Sequence, residues 1–326
     1  MKKHYYGLDL GKIIAAILVI SIHTVPFAAY EGTYIYKVWS ILSSMAVPFF
    51  FICTGFFIGE RLKNDGIELL IKKSISFCKI YLLLTLCYLP LTIYRYVVEG
   101  RGLVKSIIFF IRGLVVFGNH GWSWQLWYLL CVSYSLAFLY ILYKWGIKKK
   151  NIWIIALALY VIGTFFNVKP DLEDIIPGID SFYHIYKMLL GEGRMFCGLI
   201  YIMIGMEIDH FKIPRKSLCA LALMICFLIC VFISEFFWRI ALVILTFFAF
   251  SIFLNMEGGV LIPKLRLRKL SSYIYYNHMY FVFIVLSFTD FKEPGRFLFV
   301  TLFSVIFSYL YMFIRHLMEK CTTKES

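Results

Sequence analysis

Three ionisable residues share one apolar stretch near the start of the chain, GLDLGKIIAAILVISIHT (residues 7–24): Asp9, Lys12 and His23. Histidine titrates near neutrality, so it suits a general base or a nucleophile. Lysine is a compact cation that pairs with a phosphate or a carboxylate. In a helix the eleven residues from Lys12 to His23 make three turns and a small remainder, which puts both on one face about 16 Å apart along the axis. Asp9 lies one turn before Lys12 on nearly the same face and can pair with it.

The element that carries this stripe belongs in a membrane. The 326 residues are 61% hydrophobic and only 16% charged, outside the range of soluble globular chains. A helical crossing takes about 20 apolar residues, and ten runs qualify: 10–30, 36–58, 74–94, 124–144, 152–168, 194–210, 217–234, 237–255, 271–289 and 296–318. The sequence therefore predicts an all-α fold, a polytopic transmembrane helical bundle of about ten spans forming one domain over residues 1–326. The runs are apolar all round rather than alternating, which argues against a barrel. Residues 103–117 form a shorter apolar run with Lys105 and Arg112 inside it, read as interfacial or re-entrant.

About two thirds of the 33 Lys and Arg residues fall on one side if the N-terminus is cytoplasmic, which predicts an N-in, C-in topology. The net charge of +14 is then explained by topology signals and anionic lipid heads, without nucleic acid as a partner. The nine cysteines form no CxxC pair, and no set of residues has metal-ligand spacing, so no metal site is expected. No signal-peptide cleavage site follows the first run, since Phe27 precedes the one small pair, Ala28-Ala29; the run is read as a mature helix.

Ionisable groups inside hydrocarbon need a partner or a wet cleft. For Lys12 alone, snorkelling to the interface is sufficient, and for His23 alone a hydrogen bond between helices; together they point to a polar path. Further candidates are NHGWSWQLWYLL (119–130), with Trp127 and Tyr128 deepest; GEGRMFCGL (191–199), where Glu192 can neutralise Arg194; and YIYYNHMY (273–280), with Asn277 and His278. Trp122 and Trp124 suit an aromatic belt. Residues 167–194 are expected to form a long external loop, with Tyr183 and Tyr186 offered for stacking on a sugar.

These stretches resemble membrane acyltransferase family 3, whose members O-acylate extracellular carbohydrates. Leu8-Asp9 followed by Lys12 and His23 keeps the spacing of the family's opening motif, with lysine where the family has arginine. VPFFFICTGFF (47–57) matches its Val-Pro-Phe-Phe segment with Thr54 for serine, and QLWYLL (125–130) its Leu-Trp-Tyr-Leu segment with Gln125 for histidine. GRMFCGL (193–199) approximates its Arg-Asn-Gly entry to a span, and Tyr275 to His278 its closing Tyr-x-x-His. The sequence is also similar to the membrane half of the serine racemases of glycopeptide-resistance clusters.

The resemblance implies a bacterial, multi-pass cell-membrane enzyme in which His23 is the central catalytic group, supported by Lys12 and Asp9. The donor is expected to be cytoplasmic acyl-CoA, above all acetyl-CoA, used as a co-substrate with no tightly bound cofactor. Lys72, Lys73 and Lys79 are the expected phosphate ligands. The acceptor is expected to be a hydroxyl of an extracytoplasmic cell-envelope glycan or lipid-linked sugar, met by Arg194, Trp127, Tyr128, Asn277 and His278. The family's Arg-x-x-Arg motif has only Arg61 and then Lys72-Lys73 here. The alternative is a membrane transport or binding protein for a small solute such as an amino acid; no internal repeat supports it.

Overall fold

The computed structural model describes residues 4–168, 178–211, 215–256 and 266–322. Helices carry nearly all of the described chain, and no strand occurs among those residues. They are α1 (Tyr6–Thr24), α2 (Tyr34–Ser44), α3 (Ala46–Asp65), α4 (Glu68–Val98), α5 (Leu103–Arg112), α6 (Trp127–Lys144), α7 (Lys149–Val168), α8 (Ile179–Leu190), α9 (Arg194–Met206), α10 (Lys216–Phe232), α11 (Glu235–Leu254), α12 (Leu267–Phe288) and α13 (Glu293–Thr322). Large apolar side chains are widely exposed, among them Leu83, Leu86, Leu103 and Phe232. Only a hydrocarbon solvent makes such a surface favourable, and in that solvent the backbone must satisfy its own hydrogen bonds, as helices do.

Among the described residues, seven helical segments are long and apolar enough to cross a membrane, and an eighth results if α8 and α9, bent by 71°, form one span. The ten expected runs all fall on helices, with three differences in kind. α10 has only 17 residues. α9 alone is 13 residues long and depends on α8 for length. α12 is diluted by four tyrosines, Asn277, His278 and three serines, and it is not among the seven.

Two local departures have clear causes. Residues 34–65 break at Met45 into α2 and α3. Pro48 has no N–H to return to the Ser44 carbonyl, so the ladder is interrupted there. The segment read as a loop over 167–194 contains α8; its apolar residues recur every three to four positions, the helical period. Residues 169–177 of that segment lie outside the described residues. Residues 103–117 fold as α5 followed by a π-type turn, Gly113–Phe117. Ten residues of helix reach about 15 Å, half of a bilayer core.

The chain forms two compact units, one from the described parts of Met1–Val47 and Phe250–Ser326, the other from Pro48–Ala249. In the first, α1 packs along α12 and α13, with α2 beside it. Leu8, Gly11, Ala15, Ala16, Val19 and Ile20 form its buried face, and the small residues let neighbouring helices approach closely.

In the second unit, α3 and α9 meet through glycines. A methyl group on Gly55 would overlap the carbonyl oxygen of Ile202, and one on Gly205 would overlap that of Ile52. α4 and α6 are joined by reciprocal hydroxyl bonds, Ser74 Oγ to Ser133 O at 2.8 Å and Ser133 Oγ to Ser74 O at 3.0 Å. Each serine thus satisfies its polar group on the partner's backbone rather than on lipid.

Candidate active site

α1 supplies the stripe read from the sequence. Asp9 is buried, with 5% of its surface exposed. It lies 4.0 Å from Lys12 Nζ and 3.5 Å from His4 Nε2. The Lys12 side chain is 12% exposed, so its ammonium is largely removed from solvent and Asp9 provides the compensating charge. His4 was not foreseen as part of this group. Its spacing of five residues from Asp9 is not a face-sharing distance, and its ring reaches back from the residues just before α1.

At the other end of α1, the half-buried His23 meets α12. The ring centroids of His23 and His278 are 5.5 Å apart, with the planes inclined by 30°. His278 is fully buried. Its Nδ1 lies 3.0 Å from both the Ile274 and Tyr275 carbonyl oxygens, while Nε2 is buried without a hydrogen-bond partner. α1 and α12 therefore place two imidazoles together within one unit. The Tyr275 ring lies 6.2 Å from that of His278.

Asn277, the neighbour of His278, points to a different face of α12. Its Nδ2 donates to Ser308 Oγ at 2.9 Å and reaches Ser304 O at 3.5 Å, tying α12 to α13. Its Oδ1 and the Ser304 hydroxyl are buried without partners. Asn277 is thus engaged as interhelical glue, and the structure does not bring it into contact with His23.

The remaining expected site residues belong to the second unit. Lys72 and Lys79 are exposed on α4 and Lys73 is half-buried. Arg194 opens α9 and pairs with Glu192 at 2.5 Å, the neutralisation foreseen from their spacing. Tyr128 is buried. Its hydroxyl lies 2.9 Å from Thr54 Oγ1 and donates to Phe50 O at 3.3 Å. Phe51 joins Tyr128 edge-on at 4.7 Å and touches the Trp127 ring at 6.0 Å. Thr54 and Tyr128 come from two separate motifs, and their hydroxyl pair was not anticipated.

Tyr183 and Tyr186 do not present free rings for a sugar. Both are buried against Phe166, Tyr186 stacked on it at 3.3 Å and Tyr183 donating to its carbonyl at 3.0 Å. α8 is amphipathic, and it turns its tyrosines onto α7 while Phe182, Ile185, Met188 and Leu189 face outward.

His120 is also buried. Its Nδ1 lies 2.7 Å from Ser123 Oγ, and burial pushes the imidazole down to about 4, so it is neutral at physiological pH. Among the described residues no group of three or more His, Cys, Asp and Glu is placed to share a metal ion.

A family described as an acyltransferase domain, acyltransferase 3, matches residues 5–313. The chain belongs to this family. Its helices and its membership make it a multi-pass membrane protein of a membrane acyltransferase family. An amino-acid racemase of Enterococcus faecalis is 30% identical over 218 residues, 65% of this chain and 29% of that protein. A serine/alanine racemase of Enterococcus gallinarum is 29% identical over 232 residues, 67% of this chain and 31% of that protein. The chain spans less than a third of the length of the curated relatives it matches. No solved structure matches it. The family's match takes in both units, from the α1 stripe to the body of α13.

Proposed function

We propose that this protein is an O-acyltransferase that moves an acyl group, foremost acetyl, from cytoplasmic acyl-CoA to a hydroxyl of an extracytoplasmic cell-envelope glycan or lipid-linked sugar. The observation that carries the reading is the α1 stripe in a chain of the acyltransferase 3 family, with His23 seated against a second imidazole. In this reading the bundle has about ten spans with both termini inside, and residues 1–326 act as one domain.

His23 acts as general base on the hydroxyl or as nucleophile on the thioester. Lys12, held by Asp9 about three helical turns from His23, supplies positive charge towards the donor's phosphates. The exposed Lys72 and Lys79, with Lys73, are suited to the donor's phosphates by charge pairing. Trp127, Tyr128 and Arg194 are candidate acceptor contacts, and Asn277 supports α12. No cofactor beyond the acyl-CoA co-substrate is needed for the chemistry.

The names of the relatives favour a second reading, in which the same stripe binds or conducts an amino acid. The two are separated by incubating purified protein in detergent with acetyl-CoA and glycan acceptors. The transferase reading expects acceptor molecules heavier by one acetyl group, absent with His23→Ala. Amino-acid binding with no acylated product from wild type would reject it.

A further inference from the structure

The two carbonyl oxygens at His278 Nδ1 can only accept hydrogen bonds, so Nδ1 must carry the proton. The ring is fully buried and pairs with no acid among the described residues, so a second proton would place an uncompensated charge in hydrocarbon. His278 is therefore neutral, and its Nε2 is a lone pair. That lone pair is buried and unpartnered, on a ring whose centroid is 5.5 Å from that of His23. Leaving a buried acceptor unmatched costs about 1–3 kcal/mol, and apolar side chains would fill the same space without that penalty.

We propose that His278 is a positioning residue for His23, resting on the transferase reading above. Its Nε2 receives an N–H of the His23 ring, which fixes the His23 tautomer and leaves the opposite nitrogen of His23 lone-paired towards the acceptor hydroxyl. The contact tightens when substrate closes the site, as catalytic hydrogen bonds commonly do. The backbone of α12 thus dictates the protonation of a residue on α1.

The step balances. The hydroxyl gives its proton to the His23 nitrogen opposite that N–H as its oxygen bonds to the thioester carbon. The carbon–sulfur bond then breaks, the thiolate leaves, and it takes the proton back from His23. His278 Nε2 accepts from the N–H of His23 throughout and shares the charge of the transient imidazolium. The role is that of an orienting partner behind a catalytic base, filled by a neutral imidazole instead of a carboxylate.

Two substitutions separate this role from packing. His278→Asn keeps an amide N–H near Nδ1 for the Ile274 and Tyr275 carbonyls but has nothing at the Nε2 position. His278→Gln extends an amide oxygen to that position. Initial rates of thiol release from acetyl-CoA with a glycan acceptor are compared for wild type, both variants and His23→Ala, each checked for monodispersity in detergent. The expected result is a loss in kcat of tenfold or more for His278→Asn, an acetyl-CoA KM within twofold of wild type, and recovery of most of the rate with His278→Gln. An active wild type matched by His278→Asn, or equal losses in monodisperse Asn and Gln variants, would overturn the inference alone. A wild type no faster than His23→Ala would overturn the transferase reading and the inference with it.

Discussion

His23 and His278, from opposite ends of the sequence, hold their imidazole rings 5.5 Å apart and inclined by 30°. One ring is pinned to its own helix backbone and the other is half-buried on α1. An ordinary packing position would take leucine, which carries no desolvation penalty. The pair is the structural centre of the functional reading.

At the cytoplasmic end expected for α1, Lys12 stands where the family has arginine. If its work is to supply charge beside Asp9, Lys12→Arg should keep activity within about threefold, because the cation is retained. Lys12→Ala should lose tenfold or more and leave Asp9 buried without its closest strong cation. Steady-state turnover of acetyl-CoA by the two variants checks this. Equal activity of Lys12→Ala and wild type would remove Lys12 from the mechanism.

Removing the basic residues of α4 should act on donor affinity and leave the chemistry intact. Lys72→Gln with Lys73→Gln and Lys79→Gln should raise the acetyl-CoA KM severalfold at low salt with little change in kcat, since phosphate pairing is a ground-state interaction. The effect should shrink as salt screens the exposed charges. An unchanged KM at low ionic strength would assign these lysines to lipid headgroups.

The α3–α9 contact makes a purely structural prediction. Gly55→Leu or Gly205→Leu places a side chain against a facing backbone that has no room to yield. Each should destabilise the protein by several kcal/mol or prevent its accumulation in the membrane. A control at Leu83, which faces outward, should tolerate Leu83→Ile. Fluorescence-detected gel filtration after heating would measure the difference.

His120 introduces a pH dependence of stability. Burial lowers its folded-state value from 6.5 to about 4, so below pH 6.5 the unfolded chain binds a proton that the folded chain refuses. Its contribution is fully present above pH 6.5 and falls as pH drops towards 4, by roughly 3 kcal/mol at 1.36 kcal/mol per pH unit. The apparent melting temperature of wild type should therefore drop more steeply over this window than that of His120→Asn. Parallel curves would show that the imidazole gains water before unfolding.

The sequence made the helices legible because lipid imposes a long apolar run on each one. It made the Asp9, Lys12 and His23 stripe legible because all three sit on one helix, where spacing alone sets the face. It could not reveal that His278 meets His23, since no local pattern records which turn of α12 packs against which turn of α1. α8 was hidden because Asp180, His184 and Lys187 dilute its apolar period. The same dilution left Tyr183 and Tyr186 looking available when they are the buried side of the helix. The break at Met45 had a marker in Pro48, which an apolar count over 36–58 averages away.

The central claim is tested most directly by thiol release from acetyl-CoA by the purified full chain with cell-envelope glycan acceptors, for wild type and His23→Ala. A general base or nucleophile contributes about 10²–10⁴-fold. The account predicts an acceptor-dependent rate for wild type that falls by at least 100-fold in a monodisperse His23→Ala variant. Equal, acceptor-independent rates for the two proteins would contradict it.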